Sequence, residues 1–191
     1  ICSDKTGTLT QNKMTVVKMY YNNNTYDIEN VVKNEEYANI LKTGLLCNES
    51  KIVGEDNDKK IVGDPTETVL VELAQRDNIE KQEYDKRYIR IGEVPFDSDR
   101  KLMSTINVED GKNIVHTKGA VDELLKVCKF IQIDNNVIEL SQEMKETIIF
   151  NNEEMAKQAL RMLGFAYKQI DFVPEVVNNI TIENELIFVG M

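Results

Sequence analysis

The chain has 191 residues, 41% of them apolar and 29% charged, with a formal net charge of −10. That length can fill one good core, the composition is that of an ordinary globular protein, and the charge disfavours a nucleic-acid partner. The three cysteines, Cys2, Cys47 and Cys128, lie far apart, and His116 is the only histidine. A disulfide framework, a structural zinc site and multi-histidine metal chemistry are therefore not expected, and no apolar run approaches the ~20 residues of a membrane span.

Taken in order, Met14 to Tyr21 is rich in β-branched and aromatic residues and predicts a strand, with Asn22-Asn23-Asn24 as a turn and Thr25 to Ile28 as its hairpin partner. Tyr37, Ile40, Leu41, Gly44 and Leu45 share one helical face, predicting a helix from Glu36 to about Cys47. Residues 49–60 read as a polar loop flanked by short strands at Ile52-Val53 and Ile61-Val62. Asp64, Pro65 and Glu67 then supply an N-cap, a first helical position and the closing member of a capping box. That helix is expected to stop before Arg76, and residues 77–87 to be a charged, exposed stretch.

Strands follow at Tyr88 to Phe96 and Leu102 to Val108, and Glu109-Asp110-Gly111 is a tight turn into Asn113 to Thr117. Val121, Leu124, Leu125 and Cys128 mark a short helix, and Phe130 to Leu140 a hairpin about Asp134-Asn135-Asn136. Ser141 caps a long helix expected to run to about Leu163 and stop at Gly164, ahead of strands at Phe165 to Ile170 and Glu185 to Val189. Many hairpins, few βαβ units and helices of moderate length predict an α+β fold, an antiparallel sheet flanked by helices.

The chemistry concentrates first at the N-terminus. Ile1-Cys2-Ser3 is the tail of a strand, and Asp4 stands where it gives way to a loop of small and hydroxyl residues. Such a loop offers N–H groups and hydroxyls to a phosphate, and a carboxylate there can form an aspartyl-phosphate. Lys5 would offset charge on the transferring group, and Mg²⁺ would bridge carboxylate and phosphate through hard oxygen ligands.

Asp4-Lys5-Thr6-Gly7-Thr8-Leu9-Thr10 resembles, in one unbroken run, the phosphorylation motif of P-type ATPases, the ion pumps that pass through a phosphorylated aspartate. The wider haloacid-dehalogenase-like group often has a second Asp two positions after the nucleophile as general acid and base. Here that position is Thr6, which cannot shuttle a proton near neutral pH, as suits a pump better than a phosphatase.

Four further segments follow the same resemblance in order. Gly63-Asp64-Pro65-Thr66-Glu67 is similar to the segment whose Glu bonds the adenine amino edge. Phe96-Asp97-Ser98-Asp99-Arg100-Lys101 resembles the one whose Phe stacks on adenine with Arg-Lys close behind, although Ser98 stands where some relatives carry a phosphate-binding Arg. Lys118-Gly119-Ala120, ahead of a helix N-terminus, matches the Lys-Gly-Ala of the nucleotide pocket, and Arg161 an Arg near the phosphates. Cys47-Asn48 also follows the family pattern and reads as structural.

The resemblance thus implies a type II cation-transporting P-type ATPase, closest to calcium pumps. Residues 15–185 would be its nucleotide-binding domain. Residues 1–14 and 186–191 would be stubs of an α/β haloacid-dehalogenase-like phosphorylation domain. ATP would be held by Glu67, Phe96, Arg100, Lys118, Gly119 and Arg161, and its γ-phosphate passed to Asp4 with Lys5 and Thr6 beside it and Mg²⁺ on Asp4 and Thr6. The other partners would be the phosphorylation, actuator and transmembrane parts of the pump, the chain being a soluble piece on the cytoplasmic face of a membrane. The alternatives are an ATP-binding module without turnover and a soluble aspartate-nucleophile phosphatase.

Overall fold

The computed structural model describes residues 13–54 and 59–191. The first strands among the described residues form a hairpin of β1 (Lys18–Tyr21) and β2 (Asn24–Asp27), and a second small hairpin pairs β3 (Lys51–Val53) with β4 (Lys60–Val62). Among the described residues the main sheet has seven strands: β5 (Ile89–Val94), β6 (Leu102–Glu109), β7 (Lys112–Gly119), β8 (Cys128–Ile133), β9 (Asn136–Glu139), β10 (Gly164–Ile170) and β11 (Leu186–Gly190). Their spatial order is β5-β6-β7-β10-β11-β8-β9, and the neighbours are antiparallel except β11 and β8. The expected α+β architecture is what the chain adopts.

Three hairpins turn on residues in the left-handed region. These are Asn22-Asn23, Asp110-Gly111 and Asp134-Asn135, whose φ values lie between 47° and 82°. Two-residue loops with both residues at positive φ match the right-handed twist of the flanking strands, and Asn, Asp and Gly tolerate that conformation best.

Strand alternation sends successive residues to opposite faces. On β6, Leu102 and Ile106 join Val115, Leu124, Ile131, Ala166 and Phe188 in one buried cluster. That face is covered by α4 (Val121–Val127), α5 (Gln142–Ala156) and α6 (Asn179–Ile182), through Leu124, Leu125, Ile148, Met155 and Ile182. The opposite face, with Phe165 and Val189, is covered by α1 (Glu35–Leu46) and α2 (Pro65–Arg76), through Tyr37, Ile40, Leu41, Leu70 and Leu73.

The structure departs from expectation here in two places. Residues 77–87 are not simply an exposed charged stretch. They contain α3 (Lys81–Arg87), in which Lys81 is buried and paired to Asp85 at 2.8 Å while Tyr84 packs edge-on against Tyr88. The helix after Ser141 ends at Ala156 instead of Leu163: a turn over 157–159 follows, with Ala159 in the left-handed region at φ 60°, which no helix accommodates. Leu186–Gly190 is an interior strand of this sheet, with Leu186 and Phe188 fully buried.

Burial raises the thiols of Cys47 and Cys128 to about 11 and about 12, so both act as small core residues. Among the described residues, no helix is long and apolar enough to cross a membrane.

Candidate functional site

Asp4, Lys5 and Thr6, and with them the expected phosphorylation motif and Mg²⁺ ligands, lie outside the described residues. Of the other predicted residues, Glu67, Lys118 and Gly119 meet at the end of β7. Asp64 caps α2 by accepting from the Thr66 N–H at 2.8 Å, with Pro65 at the first helical position as its locked φ favours. Glu67, one turn in, does not close the expected capping box. Its carboxylate turns across to β7, where Lys118 Nζ donates to Oε1 at 2.6 Å, while the backbone N–H of Glu49 donates to Oε2 at 3.0 Å.

This pair is sheltered, with side-chain exposures of 7% for Lys118 and 11% for Glu67. Two opposite charges so placed are desolvated, and each depends on the other for compensation.

Lys118 and Gly119 end β7, and Gly119 lies between Leu102 on β6 and Gly164 on β10. A β-carbon on Gly119 would stand 2.1 Å from the Lys101 carbonyl oxygen, so the close approach requires a residue without one. The Ala120 N–H donates to that same oxygen at 3.1 Å, clasping the 95–101 loop to the end of β7. Phe96, expected at the end of a strand, is on this loop and 61% exposed. An aromatic ring left in water is a ready stacking surface. The Asp97 carboxylate shapes the loop by accepting from the N–H groups of Asp99 and Arg100 at 3.0 and 2.9 Å.

Arg161 is exposed, three residues before Gly164. The carboxyl of Asp64 is held below its usual range, foremost by the Thr66 hydroxyl and further by the positive charges of Arg161 and Lys118. Both cations therefore act at the start of α2.

Arg100 does not join them. Its guanidinium donates to Glu183 at 2.5 Å and to the Pro95 carbonyl at 2.7 Å, and Glu183 also accepts from Ser104 at 2.6 Å. Ser104 belongs to the opposite face of the sheet, so Arg100 braces the loop from behind. A cavity of about 310 Å³, lined mainly by Val16, Met19, Leu70, Leu73, Leu163 and Phe165, borders Arg161 and Thr66 but not Glu67, Phe96 or Lys118. Among the described residues no cluster of three His, Cys, Asp or Glu could hold a metal ion.

The family model for P-type ATPase cytoplasmic domain N matches residues 36–191. The chain belongs to this family. Along its whole length this P-type ATPase domain is 41% identical to a protein named calcium-transporting ATPase 1 from Bacillus cereus, covering 21% of that protein. It is 37% identical to the calcium-transporting ATPase 1 of Lactococcus lactis, again along its whole length and over 21% of the relative. The cation-transporting ATPase pma1 of Synechocystis is 33% identical, with 100% of this chain and 23% of the relative covered. The chain thus spans about a fifth of the length of these relatives.

Two residues before Lys118, and on the same face of β7, is the one histidine. His116 Nδ1 lies 3.0 Å from the Thr43 hydroxyl and Nε2 lies 2.5 Å from Glu109, which also accepts from Lys42 at 3.0 Å. Burial lowers the pKa of His116, partly offset by Glu109. Burial alone would raise Glu109, but the bonds from His116 and Lys42 outweigh it and hold the carboxyl low.

A histidine whose folded pKa is depressed takes up a proton more readily when unfolded. Stability is then constant above the unfolded pKa of about 6.5 and falls as pH drops below it, by at most about 1.4 kcal/mol per pH unit. Denaturant titrations between pH 7.5 and 5 are expected to show this loss, and His116→Gln to flatten it. An unchanged slope in that variant would remove His116 as the source.

The Glu49 N–H bonds the Glu67 carboxylate, Asn48 donates to the Glu67 backbone carbonyl, and Arg90 holds Asn48 and Glu49 in turn; neither Glu49 nor Arg90 stands out in the sequence. Asn48 has the structural part expected of the Cys47-Asn48 pair, while nothing near Glu49 or Arg90 in the sequence marks a partner so far along the chain.

Proposed function

We propose that this chain is the nucleotide-binding domain of a cation-transporting P-type ATPase, with ATP held by Glu67, Phe96, Lys118, Gly119 and Arg161. The observation that carries the reading is the sheltered Glu67–Lys118 pair at the end of β7, in a chain of this family whose Phe96 ring is exposed. Phe96 offers a face to the purine. Glu67, an acceptor-only carboxylate with lone pairs beyond those used by Lys118 and Glu49, suits the adenine amino group. Lys118 and Arg161 supply positive charge for the phosphates, Arg161 with a planar fork that matches phosphate oxygens.

In the intact protein, a carboxylate oxygen of Asp4 attacks the γ-phosphorus, the bond to the β,γ-bridging oxygen breaks, and ADP leaves. Lys5 offsets the developing charge. Asp4 and Thr6 would hold Mg²⁺, which supplies charge neutralisation on the phosphate oxygens. Because the chain spans about a fifth of its relatives, turnover belongs to the whole protein, and the chain alone is a binding module. The names of the Bacillus and Lactococcus relatives favour calcium as the transported ion.

Titration of the chain with ATP, AMP and GTP, followed by amide NMR shifts, tests the reading. Adenine nucleotides are expected to shift signals around Phe96 and Lys118, and Phe96→Ala to weaken ATP about tenfold, since stacking of a base on an aromatic ring is worth roughly 1–3 kcal/mol. Absence of shifts at both residues would overturn it.

A further inference from the structure

We infer that Arg90 is a positioning residue for Glu67 and, through it, sets the preference for adenine over guanine. The inference rests on the adenine reading above and goes beyond it. Glu67 is aimed by two donors, and the second of these, the Glu49 N–H, is a backbone group in the short connection after α1. Its direction depends on the peptide that carries it, which joins Asn48 to Glu49. A trans peptide is planar and its C=O points opposite to its N–H, so whatever grips the Asn48 carbonyl also aims the Glu49 N–H.

Arg90 makes that grip. From strand β5 its Nη2 donates to the carbonyl oxygens of Leu46 at 2.8 Å and Asn48 at 2.9 Å. Its Nη1 donates to the Glu49 carboxylate and, at 3.0 Å, to Glu93. The Leu46 carbonyl is the last of α1, where an unpaired acceptor and the negative end of the helix dipole favour a cation. Asn48 completes the frame from inside, its Nδ2 donating to the Gly44 and Glu67 carbonyls at 2.9 and 3.0 Å. The fork geometry of a guanidinium spans two carbonyls and a carboxylate at once, whereas an ammonium cannot reproduce that planar arrangement.

The consequence for specificity follows from base chemistry. At the six position adenine presents an amino donor and guanine a carbonyl acceptor. A carboxylate held in place accepts from the first and repels the second. Loosening the Glu49 N–H lets the carboxylate swing, which weakens adenine recognition while the ring face of Phe96 and the phosphate contacts stay intact.

Calorimetric affinities of the chain for ATP and GTP, with thermal melts alongside, test this in Glu67→Gln, Arg90→Met, Arg90→Lys and the Glu67→Gln/Arg90→Met double variant. Arg90→Met is expected to weaken ATP about tenfold, the scale of one charge-assisted hydrogen bond, and to leave GTP within about twofold. Arg90→Lys should recover part of the ATP affinity, and in the Glu67→Gln background Arg90→Met should leave the ATP-to-GTP ratio where it is. An unchanged ratio in Arg90→Met, whether both nucleotides weaken together or neither does, would overturn the inference. If Glu67→Gln itself leaves the ratio unchanged, it is the adenine reading that falls.

Discussion

Lys118→Met is expected to lower the melting temperature of this chain by about 10 °C. Removing one partner of a buried ion pair typically costs roughly 3–5 kcal/mol, because the other charge stays behind without compensation. For a domain of this size each kcal/mol moves the melting point by about 2–4 °C. Glu67 would keep only the Glu49 N–H as a donor, with its side chain 11% exposed. Because the damage is the stranded carboxylate, the double variant Lys118→Met/Glu67→Gln should regain most of the loss. Scanning calorimetry on the three proteins decides the matter. A single variant that melts with the wild type would mean that water reaches Glu67 freely. Nucleotide affinity should fall in both variants, so stability and binding part company in the double one.

Gly119→Ala is expected to cost about 3 kcal/mol, the upper part of the range for forcing extra atoms into a packed site. The new β-carbon meets the Lys101 carbonyl oxygen at 2.1 Å and the Leu102 Cα at 2.9 Å. Both obstacles are main-chain atoms, so no rotamer change relieves the clash. The strand registers with Leu102 and Gly164 and the Ala120–Lys101 hydrogen bond hold the two segments together, and the strain must pass to the loop that carries Phe96. Urea denaturation should show the lost stability. ATP titration well below the melting point should show weakened binding in the protein that remains folded. A denaturation midpoint equal to that of the wild type would contradict the packing described for this crossing.

These residues show where reading the chain succeeds. Asn22-Asn23, Asp110-Gly111 and Asp134-Asn135 announce their hairpins because the turns demand positive φ and few residues accept it. Asp64-Pro65 announces the start of α2 because cap and first-turn chemistry are local. The families of apolar residues on α1 and α2 announce which faces are buried, since helical spacing depends only on sequence separation. The family match over residues 36–191 agrees with the family that the motifs implied.

What reading the chain missed arises from contacts between distant residues. The helix after Ser141 stops at Ala156 although the residues beyond it are good helix formers, the chain turning away through Ala159 at positive φ. Arg100 is next to Lys101 in a segment that resembles a nucleotide contact, yet the loop twists it to Glu183 on the far side of the sheet. Arg90 looks like an unremarkable edge-strand residue until α1 brings Leu46 and Asn48 to it from more than forty positions away.

The sequence by itself determined the turns, the helix caps, the two-faced pattern of the strands and the set of chemically able residues, since each depends on neighbours within a few positions. Only the tertiary structure decided the strand order, with β11 parallel to β8 inside the sheet, and the pairing of Glu67 with Lys118. A backbone edge or a buried charge accepts any partner of the right kind, and which one it meets is settled by how the whole core packs.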